Sequence, residues 1–317
     1  MTGRIMPLAA LALAYLGVPL AFGGNPYVMS LMVAALSIAG VALAWAMAGN
    51  LGGLVSFGHS AFVGVGGYVS ALLAAKLGVP VLLAMGLGGL GATAAALTML
   101  PALRLKGPYF ALSILAYAQI FRILAEEARP ITGGAGGVFG IPRLPTLLGV
   151  DLATKTGGYL VILTLVVAFA WIYSHIRGKT YGLALRAMRE SEDATRVIGV
   201  NSTRLKAAIL MLSGFMTGVV GAFNTHYINF LDPDYAFDSS WIVLPIIAAI
   251  FGGYRTIWGP LVGALVIYLV DQLIFKELLP TGHDLLLGAL LVAMVLFSPT
   301  GLVPLMRRKP GADHAAA

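Results

Sequence analysis

The chain has no cysteine, and only 10% of its 317 residues carry charge. The first absence excludes disulfides and thiolate metal sites. The second excludes an ordinary water-soluble domain, which carries about 25% charged residues. Apolar residues fill the space instead: 59% of the chain is hydrophobic, and the mean hydropathy is +0.91. No stretch is polar enough for a separate soluble unit, so one all-α membrane domain over 1–317 is expected. The net charge of +7 would suit a nucleic-acid binder, but the placement of the charges decides its meaning.

Crossing a bilayer takes about 20 apolar residues. Windows that qualify, or nearly do, run 6–22, 28–48, 54–75, 80–102, 108–124, 158–175, 207–228, 240–252, 258–275 and 285–303. They predict about ten spanning helices. The eighth is short and Gly-interrupted, which fits a broken or re-entrant span as well as a full crossing. The first is read as a span and not as a signal peptide, because no A-x-A-like site follows it.

With both termini in the cytoplasm, the inner segments hold Arg4, Arg104, Lys106, Arg177, Lys179, Arg186, Arg189, Arg196, Arg204, Lys206, Arg255, Arg307, Arg308 and Lys309. These are fourteen of the 20 basic residues. Outer segments hold Lys76, Arg129, Arg143, Lys155 and Lys276, and Arg122 can snorkel from the outer end of the fifth window. A Lys and Arg excess marks the cytoplasmic side. Topology therefore accounts for the basic charge, and nucleic acid is not needed.

Two polar segments interrupt the pattern: 125–157 outside, rich in glycine, and 176–206 inside, rich in charge. In the second, Leu183, Ala187 and Met188 fall at helical spacing, as do Ala194, Val197 and Ile198. Ser191 followed by Glu192 and Asp193 reads as an N-cap with acids in the first turn. Gly199 is a natural stop, and Asn201-Ser202 opens the next span. Two short amphipathic helices follow. A solvated loop would explain their charges; a narrow apolar stripe with mixed charge also suits a groove in another protein.

Several chemical motifs are present only in outline. Gly178-Lys179-Thr180 has the tail of a phosphate loop, but Tyr173 stands where its first glycine belongs. Gly86-Leu87-Gly88-Gly89-Leu90-Gly91 matches a dinucleotide fingerprint inside an apolar span, where small residues serve helix packing. The pairs Gly214/Gly218 and Gly259/Gly263 have the same explanation. The five histidines lack metal-ligand spacing. His59, beside Ser56 and Ser60, is expected to bond a nearby backbone carbonyl, although a polar cluster there also suits a water-filled path.

Mid-span charges usually mark ion or proton relays, and here Asp271, Arg122 and His226 all lie near outer ends. That argues against an ion-coupled carrier. Splitting the chain after the fifth window gives five spans per half in opposite orientation, a five-plus-five inverted repeat of the kind transporters use. Gly66-Gly67-Tyr68 then corresponds to Gly252-Gly253-Tyr254, placing the third and eighth spans near a translocation path together with Ser56 and His59.

The segment Arg186-Ala187-Met188-Arg189-Glu190-Ser191-Glu192-Asp193-Ala194, closed by Ile198-Gly199-Val200, resembles the cytoplasmic coupling segment of branched-chain amino-acid ABC permeases. Asn50-Leu51 through Ser56-Phe57-Gly58-His59 to Gly66-Gly67-Tyr68, Thr132-Gly133-Gly134 through Gly137 to Pro142, and Phe251-Gly252-Gly253-Tyr254 through Trp258-Gly259-Pro260 resemble the same family in the same order. The external Gly-rich stretch is similar to the LivM-type member of the permease pair. The resemblance implies an inner-membrane transport subunit, not an enzyme, with no cofactor of its own. It further implies a LivH-type partner permease, two ATPase subunits and a periplasmic amino-acid-binding protein.

On the same basis, the ATPase would grip Arg186, Ala187, Met188, Arg189, Glu190, Asp193, Ile198 and Gly199. The binding protein would touch Thr132, Gly133, Gly134 and Gly137, with Asp232, Asp234 and Asp238 as a second outer patch. Ser191 stands where family members commonly carry another acidic or apolar residue. Related permeases imply urea, short amides or a sugar as alternative cargo.

Overall fold

A computed structural model describes residues 11–105, 107–147, 149–297 and 301–303. Arg4, Lys106, Arg307, Arg308, Lys309 and His314 lie outside the described residues. The chain is almost entirely helical: α1 (Leu13–Phe22), α2 (Pro26–Gly52), α3 (His59–Leu77), α4 (Val81–Thr98), α5 (Pro108–Glu127), α6 (Lys155–Gly178), α7 (Thr180–Glu190), α8 (Glu192–Val197), α9 (Ser202–Ile228), α10 (Ser240–Gly252), α11 (Gly259–Val270) and α12 (His283–Phe297). Without water to bond free amides, a membrane-crossing backbone must satisfy itself, and the helix does so within one segment.

Among the described residues, seven helices are long and apolar enough to cross a membrane: α2, α3, α4, α5, α6, α9, and the stretch Pro233–Gly252 that contains α10. This is a polytopic membrane protein. Within the described residues, the other three expected windows hold shorter helices, α1, α11 and α12. A π-helical turn, Asp271–Phe275, prolongs α11. The 54–75 window begins late, because residues 54–58 form a loop and the helix starts at His59. Hydropathy cannot separate an apolar loop from an apolar helix.

Helix α2 is the centre. It is apolar around its whole circumference and buried almost throughout from Met29 to Gly52, as expected of a helix with no wet face. The helices α6, α9, α10 and α11 surround it. On one side α3, α4 and α9 pack mutually; on the other α10 packs on α11, and both pack on α2. The outer faces of α5 and α6 carry exposed apolar residues such as Leu112, Ile120 and Trp171, as lipid requires.

Both helical clusters close on glycine. A methyl group added to Gly66 would strike the Gly218 backbone, one on Gly88 the Gly66 carbonyl, and one on Gly221 the Val63 carbonyl. In the second cluster, Gly252 lies against the Gly259 carbonyl and Gly263 against the Ala248 carbonyl. Gly88, Gly89 and Gly91 of the fingerprint-like run and the GxxxG glycines thus serve helix packing within the chain, whereas Gly86 faces open space.

The 125–157 segment folds over one end of the bundle. Val138 N–H donates to the Leu231 carbonyl at 2.8 Å, and a two-stranded antiparallel hairpin pairs Thr146 with Asp151 and Leu147 with Val150. At that end Lys76 Nζ donates to the Ile131 carbonyl at 2.6 Å. We call this the far end, and the end bearing 176–206 the basic end.

Replacing Gly66 by Val is expected to cost about 1–3 kcal/mol of stability through overpacking. Gly86→Ala adds a methyl with no atom within 4 Å and is expected to leave stability unchanged. Thermal unfolding of both variants in detergent provides the comparison, and equal midpoints would remove the close-packing account.

Candidate functional site

The basic end is where polar chemistry concentrates. As expected, 176–206 forms two short helices and caps the next span. Ser191 Oγ accepts from Ala194 N–H at 3.3 Å, and Asn201 Oδ1 from Arg204 N–H at 3.0 Å. Gly199, at φ +86° just after Ile198, stops α8 in a conformation that favours glycine.

The apolar stripe expected on α7 divides. Leu183, Ala187 and Glu190 fall on one exposed face, whereas Gly182, Leu185 and Met188 face the bundle. Met188 is 2% exposed, so it anchors the segment and is not offered to a partner. Arg186 also turns back, its Nε donating to the Gly182 carbonyl at 3.2 Å. Outward surface comes from Tyr181, Leu183, Ala187, Glu190, Asp193, Gly199 and above all Val197 and Ile198, 87% and 75% exposed. Two neighbouring exposed apolar residues at the tip of a charged element form a suitable anchor for another protein.

Arg189 reaches inward. Its Nη1 donates to the Asn50 backbone carbonyl at 2.8 Å and to Asn50 Oδ1 at 2.9 Å, and its Nη2 donates to Glu190 at 2.5 Å. Asn50 is in the last turn of α2, where carbonyls lack helical partners and a cation is favoured by the dipole. Asn50 Nδ2 in turn donates to the Tyr173 hydroxyl at 2.7 Å and to the Arg255 carbonyl at 3.1 Å. Between α7, α8, residues 52–57, Leu105 and residues 107–111 lies a cleft of about 700 Å³ with Met188, Arg189, Asp193 and Lys206 on its wall.

The eight path candidates do not form one group. Ser56 and Tyr254 meet at Trp45: the indole Nε1–H donates to the Ser56 carbonyl at 2.8 Å, and the Tyr254 ring lies edge-on at 6.3 Å. Gly252 and Gly253 form the turn beside them. His59 is buried and bonds a side chain, not a backbone carbonyl. Ser213 Oγ donates to the Ala44 carbonyl at 2.9 Å, so it accepts from His59 Nε2–H at 2.8 Å. Gly66, Gly67 and Tyr68 lie further along α3. The glycines face α9, and Tyr68 stacks on Phe237 with ring centroids 6.2 Å apart.

In the far-end loop, Thr132 is buried and its hydroxyl donates to the Ala125 carbonyl at 2.6 Å. Gly133 and Gly137, at φ +79° and +76°, approach the Gly137 and Leu231 carbonyls respectively. With Gly134 they shape a tight turn. The apolar side chains this turn presents are Ile131 and Phe139, which pattern reading did not select. Among the described residues no group of three or more His, Cys, Asp or Glu side chains could hold a metal ion.

Sequence reading took Glu192 only as a first-turn acid; the structure shows it fastening α8 to the start of α9. It accepts from Lys206 at 2.6 Å and from Arg196 at 2.8 Å. Partial burial works to raise its carboxyl pKa, but bonds and charges from Lys206, Ser202 and Arg196 outweigh this and lower it. The lowered pKa means the clasp stabilises the fold above the unfolded value of about 4.3. It is lost as pH falls through the lower, folded value. Glu192→Gln is expected to cost about 1 kcal/mol at neutral pH and nothing once the carboxylate is protonated. Hydrogen exchange over 192–206 at pH 7 and pH 3 provides the measurement.

The family model for the permease component of the branched-chain amino acid transport system matches residues 27–295. The high-affinity branched-chain amino acid transport system permease protein LivM of Salmonella typhimurium is 30% identical, over 81% of this chain and 65% of that protein. LivM of Escherichia coli is 29% identical, over 84% of this chain and 68% of that protein. Escherichia coli LivH is 23% identical, over 83% of this chain and 90% of its own length. The chain thus spans about two thirds of the length of the LivM relatives. No solved structure matches. The chain belongs to the family of branched-chain amino acid transport system permease components.

Proposed function

We propose that the chain is the LivM-type permease subunit of an ATP-driven importer that carries branched-chain or other hydrophobic amino acids into the cytoplasm. One observation carries the reading. A bundle that belongs to this permease family ends in a charged two-helix element whose apolar tip, Val197 and Ile198, is fully offered to a partner. A LivH-type second permease would complete the pore. Two ATPase subunits would sit under the basic end, and a periplasmic binding protein would deliver cargo at the far end. That places both termini in the cytoplasm.

The packing supports an inverted repeat. Pairing α1–α5 with α6, α9, α10, α11 and α12 in order maps the α3–α4 hairpin onto α10–α11. The contact of that first hairpin with α9 maps onto the contact of the second with α2, and α3–α5 maps onto α10–α12; all of these pairs pack. The α2–α9 contact lies on the axis. A path beside α3 is supported by a second feature. Among the described residues, the buried side-chain polar atoms without protein partners, on His59, Ser60, Tyr68, Thr217 and Tyr227, all belong to α3 or α9. Such groups require hydration or a polar ligand. In this reading the Gly252–Tyr254 turn gates the same path at its inner end.

Reconstituted with partner permease, ATPase pair and binding protein, the chain should take up leucine in an ATP-dependent manner, with urea and ribose left behind. Uptake of ribose or urea in place of leucine would move the cargo assignment and keep the machine. Transport by the chain alone on an ion gradient would end the proposal. Val197→Asp with Ile198→Asp should abolish co-purification of the ATPase while leaving the bundle folded.

A further inference from the structure

Building on that permease reading, we propose that Asn50 is the transmission point through which the ATPase-facing segment moves both halves of the bundle. The side chain is 5% exposed and joins four elements: its own helix α2, α6 through Tyr173, α7 through Arg189, and the α10–α11 turn through the Arg255 carbonyl. Its orientation is fixed by chemistry. Arg189 can only donate and a backbone carbonyl can only accept, so the amide oxygen must face Arg189 and the NH₂ must face Arg255.

No other polar side chain among the described residues is bonded to so many elements at this end. Arg189 grips the last turn of α2, the helix on which α6, α9, α10 and α11 pack. A displacement of α7 is therefore carried to the central helix directly and to the second hairpin through one amide. The hydrophobic anchor Met188 fixes α7 to the bundle but has no directional hold on it. A charge-assisted bond pair is directional, so it sets where the push arrives. Asn50 is a positioning residue, acting through Arg189, Tyr173 and the α10–α11 turn.

The test uses the whole transporter in proteoliposomes and reads solute taken up per ATP hydrolysed. Asn50→Ala should lower that ratio about tenfold, a coupling of ordinary strength, while ATPase association and hydrolysis stay within about twofold. Asn50→Asp keeps an acceptor for Arg189 but loses the donor to Arg255, and should fall between wild type and Asn50→Ala. Tyr173→Phe, which removes one hydroxyl and keeps the packing, should also lower the ratio and provides the readout if Asn50→Ala does not assemble. Parallel loss of hydrolysis and uptake would overturn the proposal, because lost docking or lost fold has that effect. So would an unchanged ratio in these variants beside a wild type that transports. A wild-type complex that hydrolyses ATP without any ATP-dependent uptake would instead remove the permease reading, and this inference with it.

Discussion

How closely helix backbones can approach governs this architecture. In lipid, burying one leucine against another gains little, because the acyl chains are equally apolar. Association must come from dispersion at short range, and that demands small residues at the crossings. Gly66, Gly88 and Gly218 meet around one crossing; Gly252, Gly259 and Gly263 meet around the other. The two hairpins α3–α4 and α10–α11 are thereby rigid units, each packed against one long helix of the opposite half, α9 or α2. Units this tightly joined move as bodies. Motion is confined to their seams and to the elements that connect them.

Polar groups are placed with the same economy. Among the described residues, the buried polar groups away from the helix ends are hydroxyls such as those of Ser37, Ser213 and Thr217, the second of which is joined by His59 from the start of α3. Asp271 is buried but sits near the far end, paired with His283 at 3.1 Å and Lys276 at 3.9 Å. A buried carboxylate beside a lysine ammonium and a hydrogen-bonded imidazole is compensated locally. It does not form a relay along the bundle. The charged residues lie instead at the two ends of the bundle, with the Lys and Arg excess at the end bearing 176–206.

Much of this was legible in the sequence because it follows from local rules. The spans were visible in hydropathy, the basic end in Lys and Arg bias, and the α7–α8 pair in Ser191, Gly199 and Asn201. Three things were not. The loop at 54–58 is as apolar as the helices beside it, so its five residues were absorbed into a span. The direction of Met188 and Arg189 depends on which face of α7 meets the bundle, and periodicity gives the faces without saying which is inside. Asn50 was quoted as part of a stretch but not singled out. A lone amide at the end of an otherwise apolar 27-residue helix was nevertheless a signal, since burying it unbonded would have been costly.

The placement of Asn50 also bears on why a charged segment should turn inward at all. If α7 were only a handle, Arg189 would do better in water, where its hydration is complete. Instead its guanidinium is drawn to the end of α2, where the uncapped carbonyls and the helix dipole supply partial negative charge. Its neighbour Glu190 stays exposed, its carboxyl pKa lowered by the Arg189 bond and charge. The same arginine therefore links an outward acid to an inward amide. Under the proposed permease function, an element that is apolar at its tip, charged along its side and hydrogen-bonded at its root would be held at one end and pull at the other. That division of labour suits a bundle whose interior lacks the charges needed to power itself.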